Sequence, residues 1–228
     1  YSIWVQHYNL DYDFMSILIP IFVGIVAGYA TKSIINWLSI DGFILNNKNF
    51  ILELTSIFGS LWAFTHLETI EALIFSGIYT ILIGIALVDY KTFQIPLVFI
   101  LVGIVLSIAG VIFNTVFLVS ALWGVFVGAI IPLIIMGILW IITKRQGMGF
   151  GDIQLGIVLG AWLGPMRMAL TLFSASVLSL LTWIVVSLVK DFDKNRAMPM
   201  APFLAVAGIG VYIGSFYYPE FFHLLIIQ

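Results

Sequence analysis

The 228-residue chain contains no cysteine. That excludes a disulfide, a thiolate metal site and a cysteine nucleophile. Histidine is nearly absent too. His7, His66 and His223 stand far apart in the sequence, and none has the spacing of a metal ligand pair, so no metal is expected. Charge is scarce: 9% of residues are Asp, Glu, Lys or Arg, against roughly 25% in a soluble domain. The net charge of −2 by itself says nothing about nucleic acid, and no nucleic-acid partner is expected.

What fills the chain instead is apolar. Hydrophobic residues make up 62% of it, with a mean hydropathy of +1.17. A bilayer core about 30 Å thick needs roughly 20 apolar residues per helix. The chain offers several such runs, so it reads as an integral membrane protein whose partner is the lipid bilayer. The runs are continuous rather than alternating, which argues against a β-barrel. Helices satisfy their own backbone hydrogen bonds in lipid, so the expected fold is all-α, a polytopic bundle. Eight hydrophobic segments stand out: 14–38, 50–65, 70–88, 95–113, 116–142, 153–163, 166–189 and 200–217. The second and sixth are short, so seven spans plus a re-entrant piece would fit equally. The tail FFHLLIIQ is too short to span. The loops are short and no repeat is visible, so residues 1–228 are expected to form one domain. The chain begins at Tyr1 rather than Met, so the natural start can lie upstream. Its first apolar run is long enough to span and reads as a membrane segment, not a cleaved signal peptide.

Lysine and arginine are enriched in cytoplasmic loops near span ends. With the N-terminus outside and the loops alternating, eight of the nine basic residues fall on the inner side. These are Lys32, Lys48, Lys91, Lys144, Arg145, Lys190, Lys194 and Arg196; Arg167 alone falls outside. The seven tryptophans mostly lie near span ends, as in an aromatic belt.

Two carboxylates then fall at the inner face. Asp89 ends the third segment in IALVDYKTFQIP, and Asp152 opens the sixth in KRQGMGFGDIQLG. Either alone fits an interfacial residue at the edge of the lipid. Ile153 to Leu163 makes only about 16 Å of helix. If that helix reaches the outer face, its start must lie below the inner surface, carrying Asp152 with it. Gly147, Gly149 and Gly151 permit close approach and unusual backbone angles there, and Asp152 at a helix start is a good N-cap. Two aspartates at one depth can form a dyad sharing one proton. The ionised member takes a proton from water, the water attacks a peptide carbonyl, and the protonated member donates to the oxyanion. No metal is needed.

At this point the sequence resembles a known family. Gly149-Phe150-Gly151-Asp152 matches the GxGD signature of intramembrane aspartic proteases. The longer string GMGFGDIQLGIVLGAWLG is similar to the second catalytic block of bacterial type IV prepilin peptidases, and LVDYKTFQIP to their first. FVGIVAGYATKSIINW, with Asn36, resembles their first span, ELTSIFGSLWAF from Glu53 their second, and MPMAPFLAVAG the start of their last. The resemblance implies that Asp89 and Asp152 are the catalytic pair. It further implies cleavage of the leader, or class III signal, peptide of type IV prepilins or type II secretion pseudopilins at the cytoplasmic face of the inner membrane, without a cofactor. Bacterial members commonly carry a cysteine-containing cytoplasmic loop between the first two spans. Here that loop shrinks to SIDGFILNNKN. It has been linked to N-methylation by S-adenosylmethionine, so methylation is not expected.

Other readings of the same residues are a small proton- or cation-coupled transporter using Asp89 and Asp152, or another GxGD protease. Intramembrane carboxylates mark transport pathways, but more often near the midplane. Presenilin-type enzymes carry Tyr-Asp where this chain has Asp89-Tyr90. An inactive membrane partner of a secretion machine would not need both aspartates. Glu53 is expected to pair with Lys32 or Lys48, with substrate contact as the alternative. Lys91, Lys144 and Arg145 flank the site, as topology-setting charge or as substrate contacts. Asp191 and Asp193, in KDFDKNR, read as a solvated loop or as a meeting point for a basic leader.

Overall fold

A computed structural model describes the backbone of residues 2–46, 48–144, 149–189 and 198–225, with side chains from Met15 to Phe222 within those ranges. Among the described residues every regular element is a helix, as the continuous apolar runs required. The order is α1 (Ser2–Leu38), α2 (Ile51–His66), α3 (Thr69–Thr92), α4 (Leu97–Ile112), α5 (Leu118–Val125), a π turn (Phe126–Ile130), α6 (Ile131–Thr143), α7 (Phe150–Val189), α8 (Ala201–Tyr217) and α9 (Pro219–Leu225). Four stretches are long and apolar enough to cross a membrane: Met15–Leu38, Thr69–Thr92, Leu118–Thr143 and Phe150–Val189. Helices α4 and α8 are apolar but shorter.

The expected segments map onto these helices with two refinements. The pair 153–163 and 166–189 is one helix, α7, broken at Gly164 (φ 75, ψ 175). Only glycine adopts that φ at no steric cost, and Pro165 after it donates no N–H. The segment 116–142 holds a π turn, in which Ile131 N–H donates to Phe126 O, five residues back. Pro132 follows at once, and its lost donor accounts for the disturbed ladder.

The chain divides into two compact units, residues 1–84 and 85–228. In the first, α1 lies on α2. Gly24 and Gly28 face the α2 backbone at Ile57 and Glu53, and a Cβ on either would stand 2.5–2.6 Å from those Cα atoms. This is small-residue packing, the means by which helices associate where no hydrophobic driving force separates them from lipid. One turn further along α1, Lys32 Nζ meets Glu53 Oε1 at 3.1 Å, with both side chains buried. Beyond that, Asn36 clamps the connecting loop, donating to Leu45 O (3.1 Å) and accepting from Leu45 N–H (2.7 Å).

In the second unit, α5 and α6 run antiparallel to the first arm of α7. Gly124 faces Gly160, and Gly128 faces Gly156. A Cβ on any of the four would overlap the facing carbonyl, so the two backbones touch. Ile153 packs between Ala129 and Met136. The same register brings Asp152 level with Pro132, while α6 runs on from Leu133 to Thr143. That is roughly 16 Å of further helix. The start of α7 is therefore recessed behind the end of α6. Helix α8 covers the other flank of α7, with Gly208 against Leu159 and the Trp162 ring stacked on Tyr212 at 4.7 Å.

Candidate active site

Asp89 sits in the last full turn of α3. Its carbonyl accepts the N–H of Phe93, whose positive φ of 55° ends the helix. The side chain is buried, at 5% exposure. Oδ2 accepts the N–H of Ala201 at 3.1 Å. Ala201 is the first residue of α8, and Pro202 the second. The N–H groups of a first helical turn have no partner inside the helix and carry its positive end. One of them is spent on Asp89, across 112 residues of sequence. Sequence reasoning assigned no part to this donor. Its signal was Pro202, which favours a helix start at that point.

Asp152 lies in the first turn of α7 and is half-buried. Its Oδ2 accepts Gly149 N–H at 3.2 Å. The helix begins at Phe150, earlier than the expected Ile153, so Asp152 is not the N-cap. It reaches back from the third helical position to the capping residue, the reciprocal half of a capping box. Gly151 is inside this first turn. A Cβ there would stand 3.1 Å from Ile95 Cβ, in the loop that follows α3. The absent side chain lets the segment after Asp89 and the segment holding Asp152 pack closely. Among the described residues no Lys or Arg forms an ion pair with either. Each carboxyl is oriented by a backbone N–H.

A groove of about 610 Å³ is lined by Met136, Gly137, Trp140, Lys144 and Phe150, the last of these the first residue of α7. It occupies the step left where α6 outruns α7. Lys144 is exposed, ends α6 in a left-handed conformation, and lies over the Trp140 ring at 4.9 Å. Lys91, also exposed, lies over the Tyr90 ring at 5.5 Å. Glu53 belongs to the first unit and pairs with Lys32, the first of its two expected partners. Gly147, Arg145, Asp191 and Asp193 lie outside the described residues. Among the described residues no group of three or more His, Cys, Asp or Glu is placed to hold a metal ion.

A helical membrane protein with two buried or half-buried carboxyls at one end of its spans is thus the class that fold and site define. The particular kinship comes from sequence. Residues 76–184 match the type IV leader peptidase family. This stretch holds both Asp89 and Asp152. A prepilin leader peptidase/N-methyltransferase of Pseudomonas putida is 32% identical over 159 residues, 69% of this chain and 55% of the relative. Another, of Dichelobacter nodosus, is 28% identical over 183 residues, 77% of this chain and 63% of the relative. The chain thus spans between about half and two thirds of the length of these relatives. No solved structure matches it.

Proposed function

We propose that the chain is a membrane-embedded aspartic endopeptidase, with Asp89 and Asp152 as its catalytic pair. Its substrates are the leader peptides of type IV prepilins or type II secretion pseudopilins, cut at the cytoplasmic face of the inner membrane. The observation that carries this reading is the carboxyl pair. The two aspartates lie at one end of α3 and α7, on segments that meet where Gly151 packs on Ile95, and among the described residues neither has a cation partner. A charge kept in the membrane without a partner is costly and marks function.

The chemistry follows from sharing one proton. The ionised carboxylate accepts a proton from water as the oxygen attacks the scissile carbonyl carbon. The protonated partner gives its proton to the carbonyl oxygen, leaving a neutral tetrahedral gem-diol. In the second step a carboxylate recovers a proton from the diol while the other carboxyl protonates the leaving nitrogen, and the C–N bond breaks. The N–H of Ala201 orients the Asp89 carboxyl, as that of Gly149 orients Asp152. Asp152 is set back from the end of α6, which leaves a step where a peptide can approach the pair. Gly149 and Gly151 have a part in this reading: they let Asp152 close on Asp89 once substrate is docked. The basic-residue count supports the inner face, with the N-terminus outside.

The proposal includes cleavage without methylation, since the loop between α1 and α2 carries no cysteine. Incubating the detergent-solubilised protein with a prepilin peptide and S-adenosylmethionine tests both parts. Mass measurement is expected to find the leader removed and the new N-terminus unmodified. An uncut peptide sinks the peptidase reading, and an added methyl group sinks only the second part.

A further inference from the structure

A second cavity, of about 560 Å³, lies at the opposite end of the second unit from Asp89 and Asp152. Three turns build it. The α4–α5 turn contributes Phe117 and Ser120, the α7 kink Trp162 and Pro165, and the α8–α9 turn Ser215 and Phe222. Into it comes Arg167, two residues beyond Pro165 and half-buried. Its guanidinium lies 5.5 Å from the centre of the Tyr212 ring, and among the described residues it forms no ion pair. A guanidinium always carries its charge. Half-buried among aromatic walls, it has only a ring face to offset that charge, which is weaker compensation than an anion provides.

The hydroxyls define what the cavity can offer. Ser215 donates to Tyr212 O at 2.7 Å and Thr115 to Gly110 O at 3.1 Å, so both donors are spent. Ser120 makes no hydrogen bond among the described residues, and its Oγ abuts Gly164 at the kink. The left-handed turn at Gly164 therefore brings two uncommitted donors, Arg167 and Ser120, into one cavity. The sole acid on the segments that build it is Glu220, exposed in the first turn of α9. Outside, Phe117, Leu118, Val119 and Leu122 are all exposed, Phe117 at 79%, and form an apolar flank where a hydrocarbon chain can lie.

We infer that this cavity binds the phosphate group of an anionic phospholipid, with Arg167 and Ser120 as donors and an acyl chain along the flank of α5. The walls explain why the phosphate belongs to a lipid: at the ends of membrane-spanning helices, the cavity opens onto side chains that face hydrocarbon. A zwitterionic lipid brings its own cation to the phosphate, so an uncommitted arginine favours a lipid without one.

The test is a thermal-stability titration of the detergent-solubilised protein. The probes are dioleoylphosphatidylglycerol, dioleoylphosphatidylcholine and inorganic phosphate, each in separate samples. Phosphatidylglycerol is expected to raise Tm saturably, and the other two to leave it nearly unchanged. Arg167→Gln should raise the half-maximal phosphatidylglycerol concentration about tenfold, the loss of a charge-assisted hydrogen bond. Arg167→Lys should keep most of the response. Ser120→Ala, a variant with no folding risk from charge removal, should raise the half-maximal concentration about threefold. An equal shift with phosphatidylcholine overturns the inference, because detergent displacement would then suffice. An equal shift with inorganic phosphate overturns the lipid as source. Unchanged phosphatidylglycerol curves in Arg167→Gln and Ser120→Ala overturn the site.

Discussion

The α1–α2 pair of the first unit and the α5/α6–α7 pair of the second are built alike and treat charge in opposite ways. Both bring backbones together over glycines four residues apart, Gly24 and Gly28 in one, Gly124, Gly128, Gly156 and Gly160 in the other. The first then buries a charge with its opposite: Lys32 meets Glu53 at 3.1 Å, and Lys32 also donates to Asn49 O at 2.6 Å. The second gives its carboxyls, Asp89 and Asp152, one backbone N–H each and, among the described residues, no cation. The first arrangement compensates a buried charge and ties α1 to α2 and to the turn before it. The second leaves each carboxyl oriented but, among the described residues, without a cation, which is the arrangement the proposed catalysis requires.

The sharpest way to break this comparison is to neutralise the aspartates. Asp89→Asn and Asp152→Asn are each expected to cut prepilin turnover at least about a thousandfold, within the range of a lost general acid or base. Tm in detergent should hardly move, since an amide oxygen still accepts the N–H of Ala201 or Gly149. Near-normal turnover in either variant removes the catalytic assignment.

The ion pair should behave in the reverse sense. Lys32→Met leaves Glu53 buried without its cation, in a site where its Oε2 already lacks a hydrogen-bond partner. The expected cost is about 3–5 kcal/mol of stability. The double variant Lys32→Met/Glu53→Leu should recover most of it, because a well-packed apolar pair can replace an ion pair at little cost. Denaturation in detergent reads both. If the double variant is as unstable as the single, the pair is not the clamp described.

Packing comes next. Gly156→Val drives a side chain into the carbonyl of Gly128 and should cost about 1–3 kcal/mol, the usual range for overpacking. Gly137→Ala is the control on the partner helix, where a Cβ meets nothing within 4 Å. It should be neutral or slightly stabilising, since alanine outranks glycine in a helix. Equal losses in both would mean that the antiparallel glycine contact is not what joins α5/α6 to α7.

A milder loss than the carbonyl clash at Gly156 is expected at Gly151. Gly151→Ala adds one methyl against Ile95, a tight but yielding contact at 3.1 Å. Tm should fall by no more than about 2–4 °C, the equivalent of about 1 kcal/mol at this size. If closure over substrate uses this segment, turnover should fall about tenfold, since small misplacements are costly in catalysis. Turnover that tracks Tm would leave Gly151 as a packing residue alone.

Much of this was legible in the chain. Continuous apolar runs without cysteine or clustered histidine require a helical membrane bundle, because lipid tolerates no unpaired backbone. The Gly164-Pro165 break was visible as the gap between two segments, since Pro165 removes a donor and Gly164 has no Cβ to obstruct the turn. Asp89 and Asp152 stood out because charge is rare enough for each to need a reason. The recess of α7 behind the end of α6 follows from the register of the facing glycines, which the segment lengths alone do not give. Other features depended on contacts between distant residues. No local pattern says that Ala201 N–H will orient Asp89, because a helix N-terminus advertises its donors but not their target. The facing of Gly124 with Gly160 needs a register that only two packed backbones define. Asp152 reads as a cap from its neighbours, yet the helix starts at Phe150, and whether Gly149 or Asp152 caps it is settled by how that turn packs on Ile95. Arg167 and Ser120, 47 positions apart, share a cavity only because the chain turns at Gly164. Periodicity and composition act along the chain and could be read there; the partners of each polar group are chosen in space, by packing.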